Sequence, residues 1–134
     1  METTARGDVP KTLHSIAFVS IPDSADLEFL LWDLQDAIAA YAQLSGTALP
    51  HPVDLKANSA ETADGIVLAV EDMPDDEAMT GIEKALNRFG DTGTRVYVVV
   101  QAIYERTEGA HMLIERLRQA CELRRLTWCG GVIA

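Results

Sequence analysis

The sequence predicts a three-layer α/β domain: a parallel sheet of about five strands with helices on both faces. Three observations lead there. Short apolar runs rich in β-branched residues recur along the 134 residues, at His14–Ile21, Gly65–Val70 and Thr94–Ile103. They are continuous rather than alternating, which marks strands covered on both faces. The segments between them carry apolar residues at helical spacing, so strand and helix alternate as they do around a parallel sheet. The length suits one domain.

Residues 1–12 are polar, with Arg6, Asp8 and Pro10, and are expected to be a flexible tail; residues 13–134 make the domain. His14–Ile21 (HSIAFVSI) is the first strand, stopped by Pro22. Ser24 is placed to cap a helix, with Asp26 and Glu28 in the first turn, where the helix dipole favours acids. Leu27, Leu30, Leu31, Leu34, Ile38 and Tyr41 form its apolar stripe, and it ends near Ser45–Gly46. Thr47–Asp64 has the weakest pattern. Val53–Leu55 is a short strand there, kept to an edge by Pro50 and Pro52, and Lys56–Thr62 has room for little more than a helical turn. Gly65–Val70 (GIVLAV) is a central strand. Pro74 sits near the next helix start, and Asp75, Asp76 and Glu77 suit its first turn. Met79, Ile82, Leu86 and Phe89 face inward, and Gly90 and Gly93 end the helix. Thr94–Ile103 (TRVYVVVQAI) is the strongest strand. Glu108–Arg125 is a helix with Ala110, Leu113, Ile114, Leu117, Ala120 and Cys121 inward, and Leu126–Ala134 is the last strand.

Charge narrows the partners. Eleven Lys and Arg against 21 Asp and Glu give −10. A surface this acidic repels phosphate, so nucleic acid and anionic membrane are excluded as partners. No secretory leader and no membrane-spanning run of about 18 apolar residues is present. Cys121 and Cys129 read as reduced, packed thiols, and the cytoplasm is the expected compartment.

In an open parallel sheet, ligands bind outside the carboxyl ends of the strands. That selects the loops Ile21–Ser24, Glu71–Asp76 and Gln101–Thr107. Two segments resemble a known family: Ala63–Arg88 (ADGIVLAVEDMPDDEAMTGIEKALNR) and Ala120–Ile133 (ACELRRLTWCGGVI). From about His14 onward the chain resembles the flavodoxin-like fold and, more narrowly, its NADPH-dependent FMN reductase branch. The resemblance implies FMN at the three loops, with electrons arriving from a nicotinamide. It places Ser20, Pro22 and Ser24 at the phosphate, and Asp72, Met73, Pro74, Ala102 and Tyr104 around the ring. The flavin would carry the redox step.

The residues also depart from that pattern. The family's Pro-Val-Tyr falls on Asp72, Met73 and Pro74, so the tyrosine that borders the ring is absent. Its glycine falls on Asp76. The first loop, rich in Ser, Thr and Arg in the family, is Pro22-Asp23-Ser24-Ala25-Asp26 here. A carboxylate 4 Å from a phosphate is repelled by about 4 kcal/mol per charge pair at an effective dielectric constant of ~20. The sequence offers no nearby base to offset it. The alternative is a flavodoxin-like domain without flavin, acting as an oligomeric interaction module or binding a small cationic or neutral ligand at the same edge.

Other chemistries are poorly served. The response-regulator receiver shares the topology, and Met73-Pro74-Asp75 is similar to its Met-Pro. Val70 stands where its phosphoacceptor carboxylate belongs, and no Lys follows Lys84. Phosphotransfer needs both a nucleophile and a Mg²⁺ site. The acidic run Glu71–Glu77 lacks calcium-loop spacing and reads as a solvated helix start. His14, His51 and His111 have no partners at metal-ligand spacing. No nucleophile–base pair is legible, so no catalytic residue and no metal ligand is assigned.

Phe29 and Trp32 lie opposite the stripe of the first helix, on its expected solvent face. Two large aromatics exposed together suggest an interface. A flavodoxin-like chain normally closes with a helix after its fifth strand, on the face of the first helix; here Ala134 follows that strand directly. An uncovered face would expose apolar strand residues, so the chain is expected to be a homodimer joined near Phe29 and Trp32.

Overall fold

The computed structural model describes residues 15–46, 51–53, 63–102 and 107–134. The expected tail, His14, Leu55, Ile103 and Tyr104 lie outside these residues. The element order is β1 (Ser15–Ile21), α1 (Ala25–Ser45), β2 (His51–Val53), β3 (Gly65–Glu71), α2 (Asp76–Arg88), β4 (Arg95–Gln101), α3 (Glu108–Leu123) and β5 (Thr127–Ile133). All pairings are parallel, in the order β2-β1-β3-β4-β5. The expected five strands come down to four of seven residues and one three-residue edge. The prolines at 50 and 52 explain the short edge, because proline donates nothing to a ladder.

Local signals set the helix ends. The Leu27 amide donates to Ser24 Oγ at 3.3 Å, so Ser24 caps α1. Asp75, expected in the first turn of α2, is its cap instead: its carboxylate accepts from the Ala78 amide at 2.8 Å.

The two faces of the sheet are unequal. On one, α2 and α3 bury Ile82, Leu86, Phe89, Leu113, Leu117 and Cys121 against Ile66, Leu68, Val70, Val96, Val98 and Val100. Burying each large side chain stabilises by about 1.5–3 kcal/mol. Gly131 admits α3 closely, since a Cβ there would lie 3.0 Å from the Ile114 side chain. On the other face α1 is the one helix among the described residues, and it packs through Leu27 and Leu31 over Ile16, Val67 and Ala69.

β3 is covered on both sides, as its continuous apolar run predicts. β4 is not. Val96, Val98 and Val100 are buried toward α2 and α3, whereas Arg95, Tyr97 and Val99 on the α1 side are only half-buried. β5 continues the exposure, and a bulge opposite Val96 and Tyr97 turns Cys129 out between Trp128 and Gly130. Cys129 is therefore exposed rather than packed, which corrects the sequence expectation; Cys121 is buried.

Candidate functional site

Two features stand out: a cleft at the carboxyl edge of the sheet and an apolar groove on its α1 face. The cleft forms where β1 ends against α2. Ser20, Ile21, Pro22 and Asp23 meet Asp75, Glu77, Thr80, Gly81 and Lys84 around a cavity of about 630 Å³. The helix comes this close because residue 81 is glycine; a Cβ there would stand 3.3 Å from Ile21 Cγ2. Lys84 is the residue that sequence reasoning missed. It lies in α2, far along the chain from the first loop, and only the packing of α2 on β1 brings its charge to the loop.

The expected site residues divide. Ser20 and Pro22 line the cleft, and Ser24 begins α1 beside it. Asp72 turns away from solvent: it is buried, contrary to its reading as part of a solvated helix start, and among the described residues its Oδ1 has no hydrogen-bond partner. Its amide donates to the Gln101 carbonyl at 3.1 Å, and its own carbonyl packs against Gly109 in the first turn of α3. Loop closure onto β4 and α3 thus pulls the side chain under cover, near a helix end whose dipole favours an acid. Met73 is 66% exposed and Pro74 half-buried. The half-buried Ala102 donates its amide to the Ala134 carbonyl at 3.4 Å. Tyr104 is outside the described residues.

A phosphate held at the first loop needs free amides and a positive field. Pro22 has no N–H. The Leu27 amide is taken by Ser24 Oγ, and the Glu28 amide by the Ser24 carbonyl at 3.0 Å. Asp23, Asp26 and Glu28 add negative charge at the same helix end. These acids and the two occupied amides work against a phosphate at the loop, and Lys84 across the cleft is a cation that works for it.

The groove is of another kind. Leu34 and Ile38 of α1 form one wall, Val132 and Gly130–Gly131 of β5 the other, and Tyr97 and Val99 the floor, around about 620 Å³. Cys129 also opens into it. Burial raises the Tyr97 hydroxyl above its ordinary range, the neighbouring Cys129 thiol adds to that, and Arg95 opposes it. Val132 is 60% exposed. Phe29 and Trp32 are exposed as expected, stacked edge to face with centroids 5.6 Å apart. They do not line the groove but stand on the outer side of α1.

In overall fold the chain is similar to a Megasphaera elsdenii flavodoxin solved in its two-electron reduced form. The TM-score is 0.61 at 14% identity, over 88% of this chain and 84% of that one. The likeness establishes a flavodoxin-like fold. No protein-family model matches the chain, and no curated protein does. Among the described residues, no helix is long and apolar enough to cross a membrane.

Proposed function

We propose that this chain is a flavodoxin-like interaction domain that binds a protein surface through the open strip of sheet beside α1. One observation carries the reading. The strip is lined almost wholly by apolar side chains and glycines, yet it lies on the inner layer of a fold whose parallel strands are ordinarily covered on both faces. A contiguous apolar patch of this kind on a highly charged protein marks a binding surface. The lining itself carries no charged side chain.

The test is the mass of the chain in native cell extract. The wild type should migrate in a complex heavier than its 14.6 kDa, and Val132→Asp, at an exposed position, should return it to that mass. A wild-type chain that migrates alone would overturn the reading.

Flavin-linked electron transfer is the second reading. The Ala63–Arg88 resemblance and the placement of Lys84 at the cleft favour it. If FMN is held there, Ser20 and Lys84 would bind its phosphate, and Met73 would lie toward the ring. Titration of FMN fluorescence decides it: quenching with a micromolar dissociation constant, weakened by Lys84→Ala and tightened by Asp23→Ser, supports the flavin. A protein that leaves FMN fluorescence untouched removes it.

A further inference from the structure

The occupant of the groove follows from a second feature, the outer side of α1. α2 and α3 present mainly charged and amide side chains outward, with Met112 and Leu123 as the large apolar exceptions. α1 differs in carrying its two exposed aromatics together. Its inner side packs on the sheet through Leu27 and Leu31, while its outer side exposes Ala25, Phe29, Trp32, Ala39 and Ala40 alongside Asp26, Asp33 and Asp36. Paired aromatics among alanines on an outer helix side make an interface surface with a polar component. Here the outer side has no cover among the described residues.

We infer that a second copy of this chain supplies it, with each α1 seated in the other copy's groove; the inference rests on the proposed role of that strip in binding protein. The gap over β4 and β5 is two strands wide, about 10 Å, which is the diameter of one helix. It lies directly beside one helix. A two-fold axis running along α1, between the two helices, places each copy's helix over the other's gap. The result is a shared central layer of two helices between two sheets. Both orphan surfaces are then covered at once, as an isologous contact requires. A foreign helix in the gap would leave Phe29 and Trp32 bare.

The dimensions agree. α1 has 21 residues. The gap, bounded by strands of seven residues, is about 23 Å long, so with helix and gap each about 10 Å wide the footprint is roughly 460 Å² per copy, and the larger accessible area makes this a small interface. The chemistry agrees. Leu34 and Ile38 of α1 line the groove with Tyr97, and Arg95 lies beside Tyr97. In the two-fold arrangement the partner's helix brings its outer acid, Asp36, toward that arginine.

Sedimentation velocity of the purified chain at micromolar concentration should give twice the 14.6 kDa chain mass. Trp32→Asp and Val132→Asp, both at exposed sites, should each give monomers with unchanged circular dichroism. The arrangement also couples two residues that do not meet within one copy. Maleimide should modify Cys129 about tenfold more slowly in the wild type than in Trp32→Asp, because only the dimer covers it. A monomeric wild type, or a Cys129 rate indifferent to Trp32→Asp, overturns the dimer. If the purified chain is monomeric yet the extract complex persists and is lost with Val132→Asp, the strip binds another protein and only the second copy is wrong.

Discussion

Raising the pH should destabilise this protein through a buried thiol. Cys121 is fully enclosed between α3 and the sheet, and burial lifts its pKa from 9.0 to about 11, with Arg124 opposing the shift and Glu122 adding to it. Below pH 9 the folded and unfolded chains both hold the neutral thiol, so stability is intact. Above it the unfolded chain ionises first, and the folded chain cannot follow until about pH 11. Stability therefore falls across that window. Two pKa units correspond to about 2.7 kcal/mol, and screening at the helix end brings the expected loss to about 1–2 kcal/mol. Urea unfolding at fixed protein concentration, followed by circular dichroism at pH 8, 9.5 and 11, measures it. Cys121→Ala supplies the control: its stability at pH 8 is lower for want of packing, but its dependence on pH over this range is shallower. Tyr97, also raised by burial, acts in the same direction, and Tyr97→Phe isolates its share. If Cys121→Ala retains the whole slope, the thiol is not the group responsible and the account of its burial is wrong.

Three further outcomes follow from the packing. Leu117→Ala opens a cavity at a site only 1% exposed and should cost about 3–5 kcal/mol in urea unfolding; Leu123→Ala, at an 84% exposed position of the same helix, should cost less than about 0.5 kcal/mol. Asp75→Ala removes the cap of α2 and should cost about 0.5–2 kcal/mol, with Asp75→Asn recovering most of it. Gly131→Ala drives a Cβ to 3.0 Å from Ile114 and should cost about 1–3 kcal/mol, which the double variant with Ile114→Val reduces; an unchanged urea midpoint would mean that α3 does not sit so closely on β5.

Periodicity and end signals made most of this fold legible. Ser24 and Asp75 cap helices as short polar residues do, and Leu27, Ile82, Leu86, Leu117 and Cys121 are buried where helical spacing puts them. What the sequence hid is tertiary. VYVVV reads as a strand covered on both faces, since continuous apolarity records composition and not the presence of a neighbour; in the fold only alternate valines are covered. Cys129 reads as core for the same reason, and a bulge that no local signal announces turns it outward. Asp72 reads as one acid in a solvated run. It is buried because its loop folds back onto Gln101 and Gly109, contacts distant in sequence. Lys84 reached the cleft unforeseen because helix phase gives direction around the axis but not which strand end the helix abuts.

Placing the charge separates the two candidate sites physically. At the cleft, Asp23, Asp75 and Glu77 outnumber Lys84, and the Leu27 and Glu28 amides of α1 are already taken by Ser24. An incoming anion meets those carboxylates in a partly desolvated space, where each repulsion is worth several times its value in water. At the groove no such debt exists. Its walls offer few polar groups to desolvate, so burial there returns nearly the whole transfer free energy of the area covered, about 25 cal/mol per Å². The long-range repulsion between chains of charge −10 is weakened within a Debye length of about 8 Å at physiological salt. The edge and the face of the same flavodoxin-like sheet thus differ in what they ask of a ligand: charge compensation at the edge, and apolar area at the face.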